Sequence, residues 1–134
     1  MPWDIVYYQA PDGTVPAEEF LDSIPTKIDA KINAVLEAVA AAPPPSFSGG
    51  GMWEAMHGPM TGFFEVRVPG PQREQFRLFC LLDRDGPGLP GPAIVVLMGL
   101  RKPWRTTFSA RDYAAVKKLG EDYRRTNPRR IALE

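Results

Sequence analysis

The sequence is poor in the residue types that build most small catalytic centres. Among 134 residues there is one cysteine, Cys80, and one histidine, His57. A single thiol excludes an intrachain disulfide and a cysteine-built metal cluster. A single imidazole excludes a two-histidine metal site, and no carboxylates recur at ligand spacing. No metal or cofactor is therefore expected. A serine hydrolase using His57 lacks any nucleophile motif. Gly49-Gly50-Gly51 lacks the lysine and spacing of a phosphate-binding loop and reads as flexible linker. Long apolar runs are missing too, since nothing approaches the ~20 residues that cross a bilayer. Asp4 stands where a signal peptide needs a basic region, and no apolar stretch follows it. These absences predict a cytoplasmic protein with no membrane partner.

Net charge is also absent, at +0, but the balance hides an asymmetry. Residues 1–64 carry two basic and eight acidic groups, a balance of −6, whereas residues 65–134 carry fourteen and eight, a balance of +6. A chain so divided can present a basic face to a polyanion, although charges scattered over solvated faces would give the same count.

What is present suits one domain over residues 1–134, since a chain of this length builds one hydrophobic core. Trp3 to Tyr8 predicts a strand, rich in β-branched and aromatic residues. A turn at Ala10 to Thr14 leads to a short helix, with Thr14 as its cap and Pro16 in its first turn. Phe20, Leu21 and Ile24 form its buried side. Pro25 ends it, and Thr26 with Asp29 predicts a capping box for the next helix. There Ile28, Ile32, Val35, Leu36 and Val39 make a stripe of 3.6-residue period. Residues 43–51 read as a Pro/Ser/Gly loop.

Strands are predicted at Gly62 to Val68, Gln75 to Leu82 and Ala93 to Leu100. The turn at Pro69 to Gln72 makes the first two a hairpin. Asp83 to Pro92 is a longer connection. A last helix begins at about Ser109, with Asp112 as capping partner and Gly120 weakening it, and stops before Pro128 and a tail over residues 128–134. This order predicts an α+β fold, with an antiparallel-rich sheet packed on two N-terminal helices and followed by a C-terminal helix. Cys80 reads as a small core residue.

Strand periodicity locates the candidate chemistry. Phe64, Val66 and Val68 alternate with Glu65 and Arg67, and Phe76, Leu78, Cys80 and Leu82 alternate with Arg77 and Phe79. A register that joins the apolar sets places Arg67 beside Arg77 on the other face. Like charges directly opposed destabilise a strand pair. Either Glu65 pairs with one of them, or an anion such as phosphate binds the two guanidinium groups. A second basic group, Arg101-Lys102-Pro103-Trp104-Arg105, follows the last strand. Trp104 is suited to stack on a nucleobase or to cover the core edge.

Together, Gly62-Phe63-Phe64-Glu65-Val66-Arg67, Phe76-Arg77-Leu78-Phe79 and Val95-Val96-Leu97-Met98-Gly99-Leu100-Arg101-Lys102 resemble the phage-derived branch of the RelE/HigB toxin superfamily over roughly residues 53–125. The resemblance implies a RelE/ParE-like fold and a ribosome-dependent mRNA endoribonuclease that needs no cofactor. By similarity, Arg67 and Arg77 clamp the scissile phosphate. Lys102 or Arg101 stabilises charge or protonates the leaving oxygen, while Arg73, Trp104 and Arg105 contact RNA. The implied partners are the ribosome, mRNA and a cognate antitoxin carrying a DNA-binding domain. Because ParE-like gyrase inhibitors share the superfamily, a non-enzymatic toxin or a degenerate toxin held in an antitoxin complex is the alternative.

Overall fold

A computed structural model describes residues 2–43 and 52–132. The expected loop over residues 43–51 lies almost wholly outside them. Across these described residues the chain forms an α+β fold with a five-stranded mixed sheet and three α-helices. In chain order these are β1 (Asp4–Tyr7), α1 (Pro16–Asp22), α2 (Thr26–Ala41), β2 (Trp53–Ala55), β3 (Phe63–Pro69), β4 (Gln75–Asp83), β5 (Ala93–Lys102) and α3 (Ala110–Arg125). The sheet order is β1-β5-β4-β3-β2, with β1 parallel to β5 and the other pairs antiparallel. Among the described residues, no helix is long and apolar enough to cross a membrane.

The predicted stripe of α2 is its buried side: Ile28, Ile32, Val35, Leu36 and Val39 all pack into the core. They meet Val66, Val68, Phe76, Leu78, Cys80, Ile94 and Val96 from the inner face of the sheet. Ile32, Leu36 and Val39 are fully buried, each contributing roughly 1.5–3 kcal/mol through loss of apolar surface to water. Phe20 of α1 lies over Gly99 so closely that a Cβ there would stand 2.1 Å from its Cδ2.

Two predicted caps are replaced. Thr14 is spent on the preceding turn, where its hydroxyl and its N–H both donate to Asp12 Oδ1 (2.7 and 3.0 Å). The capping position of α1 therefore falls to Val15, which has no oxygen to give. Pro25 caps α2, and Asp29 accepts from Asn33 instead of closing a box with Thr26. The box at α3 does form: Ser109 Oγ accepts from Asp112 N–H (3.1 Å), and Asp112 accepts from Ser109 N–H (2.7 Å).

The outer face of the sheet is half covered. α3 lays Val116 and Tyr123 over Phe79, Leu81, Val95 and Leu97, and Gly120 gives room to Phe63, whose ring carbons lie 2.8 Å from where a Cβ would sit. The residues after α3 return to the sheet: Ala132 N–H donates to Tyr7 O, Gln9 N–H to Arg130 O, and Ile131 bridges Tyr8. Arg129 and Arg130 hold this segment through Asp83 and Asp122.

Candidate functional site

The uncovered half of the outer face carries Glu54 of β2, Glu65 and Arg67 of β3, and Arg77 of β4. Arg67 stands directly opposite Arg77, as alternation requires, and Glu54 stands directly opposite Glu65. Each like-charged pair is costly by itself, so the four groups resolve along the diagonals. Arg67 Nη1 donates to Glu54 Oε2 at 2.7 Å and Arg77 Nη1 to Glu65 Oε1 at 2.8 Å, and Arg67 Nε approaches Glu65 Oε1 at 3.5 Å. Glu65, 8% exposed, thus anchors both guanidinium groups. Gln75 Oε1 accepts a further hydrogen bond from Arg77 Nη2 (2.8 Å). The two arginines differ in access: the Arg77 side chain is 14% exposed and that of Arg67 38%. The ion pair foreseen for Glu65 is present, and the arginine pair is present with it.

This array floors an open groove of about 960 Å³, walled by the β3–β4 turn and by the segment between β5 and α3. Arg73 and Arg105 flank Trp104, with their guanidinium carbons 4.7 and 4.6 Å from its ring centroid. Trp104 remains 45% exposed, so it projects to solvent and does not seal the core. Gln72, Arg73 and Arg105 take φ of +57°, +62° and +73°. Among the described residues these are the positive-φ positions that are not glycine; Arg73 and Arg105 line the groove, and Gln72 precedes Arg73 in the β3–β4 turn. Such backbone is disfavoured for side-chain-bearing residues and concentrates at binding sites. Deeper in, Phe108 and Tyr113 pack edge-on against Phe79 at 6.3 and 6.1 Å, and Arg77 lies 5.5 Å from the Phe108 centroid. Burial, and then the negative charge of Glu65, pushes the Tyr113 phenol above its ordinary pKa.

The sequence matches no family model and no curated protein.

Of the site residues expected from sequence, Arg67, Arg73, Arg77, Trp104 and Arg105 meet in the groove. Lys102 shares their face but is held at its end by Asp112 Oδ2 (2.6 Å) and lies 5.4 Å from the Phe108 ring. Arg101 does not join them. It stands opposite Phe76, whose ring its guanidinium covers at 4.9 Å, and it binds Glu74 and the carbonyl of Ser23 on the side of α1. The reason is a bulge in β5. Phe79 pairs with Met98 but Cys80 pairs with Val96, so Leu97 is extra and the alternation reverses beyond it. Without the bulge, Arg101 would face the groove. Among the groove residues not foreseen are Glu54, Gln75, Phe108 and Tyr113. Gln75 was legible from the alternation of β4, on the same side as Arg77. Glu54 sits on a strand too short to show a period.

Proposed function

We propose that this chain is a RelE/HigB-like toxin that cleaves mRNA on the ribosome. One observation carries the reading: two arginines directly opposed at the floor of an open groove, flanked by an exposed tryptophan between two further arginines. Guanidinium groups fit phosphate through paired N–H donors, and an exposed indole stacks on any base. The order of elements and the three strand motifs support the assignment to this superfamily and its RelE/ParE-like fold.

In the proposed reaction a ribose 2′-oxygen attacks the adjacent phosphorus. The 2′-O–P bond forms, the P–O5′ bond breaks, and a cyclic phosphate and a 5′-hydroxyl result. Arg67 and Arg77 bind the non-bridging oxygens and stabilise the charge that gathers there in the transition state. Lys102, on the same face, adds positive charge on release from Asp112. No histidine lines the groove, and both of its carboxylates, Glu54 and Glu74, are held by arginines. The proton from the 2′-hydroxyl is then taken by the ribosomal complex, which also orients the strand, while Lys102 or the Tyr113 phenol, which lines the groove, is the donor on this chain for the 5′-oxygen. A cognate DNA-binding antitoxin would silence the site.

The test is primer extension on a reporter mRNA in a translating extract. The wild-type chain is expected to cut within codons, and Arg67→Ala/Arg77→Ala to lose those cuts, each arginine being worth on the order of 10²-fold. Removing Arg77 leaves Glu65 without its closest partner, so Arg77→Lys accompanies the double variant. It keeps a cation for Glu65 but loses the planar fork, and is expected to fold and cleave poorly. The pairing of both arginines with Glu54 and Glu65 favours a second reading, a non-enzymatic toxin or binding module such as a gyrase inhibitor. Intact mRNA with a folded wild-type chain would select it.

A further inference from the structure

A second cavity, of about 530 Å³, opens beside the groove between the β2–β3 connection and the first turns of α3. Met56, His57 and Met60 form one wall, and Tyr113, Ala114 and Lys117 the other. Its size falls within the range of small-ligand sites, and its lining joins apolar side chains to a limited set of polar ones, Glu54, Glu65, His57, Tyr113 and Lys117. Glu54 and Tyr113 line both this cavity and the groove. A ligand with its phosphate on Arg67 and Arg77 therefore reaches the cavity with whatever group is joined to that phosphate by a short link. In a ribonucleotide that group is the base.

The walls suit a base. Tyr113 presents an aromatic ring, on which base stacking is worth about 1–3 kcal/mol, and the thioethers of Met56 and Met60 are polarizable and pack well on aromatic rings. Glu54 selects among bases. An ionised carboxylate only accepts hydrogen bonds, and its Oε2 is already engaged by Arg67, leaving Oε1 to a ligand. Guanine turns two adjacent donors, N1–H and the 2-amino group, toward such an acceptor. Uracil has one N–H set between two carbonyl oxygens, which the carboxylate repels.

We infer that this cavity seats the base of the nucleotide whose 3′-phosphate lies on Arg67 and Arg77, and that it selects guanine over uracil. The inference rests on the RNA reading above. It is tested without the ribosome, by following the methionine methyl and arginine Nε resonances of the full chain while adding guanosine 3′-monophosphate, uridine 3′-monophosphate or inorganic phosphate. Guanosine 3′-monophosphate is expected to shift the Met56 and Met60 methyls through its ring current and to half-saturate about tenfold lower than the uridine compound. Inorganic phosphate is expected to move the arginine signals alone. Ala114→Trp, at an exposed position of α3, should fill the cavity and abolish the methyl shifts while keeping the arginine response to phosphate. Nucleotides that move the arginines but not the methyls, or guanosine and uridine compounds of equal effect, overturn the inference and leave the RNA reading standing. In the first case the cavity falls to a protein segment, such as one from an antitoxin. Arginine signals indifferent to every phosphate overturn the RNA reading, and the inference with it.

Discussion

Tyr8 and Tyr123 each donate a phenolic hydrogen bond to an aspartate that an arginine beyond α3 also holds. Tyr8 bonds Asp122 at 2.6 Å, with Arg130 at 3.2 Å, and Tyr123 bonds Asp83 at 2.7 Å, with Arg129 at 3.0 Å. Burial first, and then the bonded carboxylate, pushes the Tyr8 phenol up to about 12 and raises Tyr123 as well. The folded chain thus favours both neutral phenols. Their contribution is complete below the ordinary tyrosine pKa of about 10 and is lost as pH rises through the folded value. Phenolate absorbance is expected to show these two tyrosines titrating late, with unfolding as they ionise. Tyr8→Phe is expected to lower stability at neutral pH by about 1.5–3 kcal/mol, the worth of a hydrogen bond to a charged group, and to flatten the alkaline decline seen in denaturant titrations.

At this same scale, much of the site was legible in the sequence. Simple alternation placed Arg67 against Arg77, because one buried face forces the register. It assigned Arg101 and Lys102 to the site together, but two consecutive strand residues point to opposite faces, and the bulge at Leu97 decides which one faces the groove. A bulge of one residue leaves no mark in hydrophobic periodicity when, as here, Val95 to Met98 are all apolar. Glu54 was hidden for a different reason, since its role as counter-ion exists only once β2 pairs with β3.

Among the elements, legibility followed length and local chemistry. The stripe of α2 and the Ser109–Asp112 box of α3 are set by residues within a few positions of one another, and both are present. The caps of α1 and α2 failed as expectations because Thr14 is engaged by Asp12 and Asp29 by Asn33. β2 has three residues and the pairing of β1 with β5 joins distant parts of the chain, so neither leaves a local pattern. The α1–β5 contact gives a sharp test. Gly99→Ala puts a methyl group into the Phe20 ring, and overpacking of this kind costs about 1–3 kcal/mol. A fall in the urea midpoint with unchanged m-value is expected, whereas an unchanged midpoint would mean that α1 yields freely.

For the molecule as a whole, Cys80 lies in the middle of β4 with no exposed surface, and burial alone raises its thiol pKa well above the ordinary value. A thiol held neutral and covered reacts only when the sheet opens. Labelling with a thiol reagent is expected to be negligible in buffer and to rise with denaturant in step with loss of circular dichroism; rapid labelling of the folded chain would mean that β4 opens locally.

The division of charge along the sequence also has its place in the fold. The groove arginines, Arg67, Arg73, Arg77 and Arg105, all come from the basic half, while Glu54, which tempers them, comes from the acidic half.

The segment after α3 has a consequence for solution behaviour. β1 is a border strand, and the open edge of a border strand is a template on which a second chain can add a strand of its own. Tyr7 O and Gln9 N–H, at the end of that border, are already taken by Ala132 and Arg130. Residues 130–132 therefore act as a stopper against edge-to-edge polymerisation, and the arginine–aspartate clasps that hold them protect solubility as well as the fold.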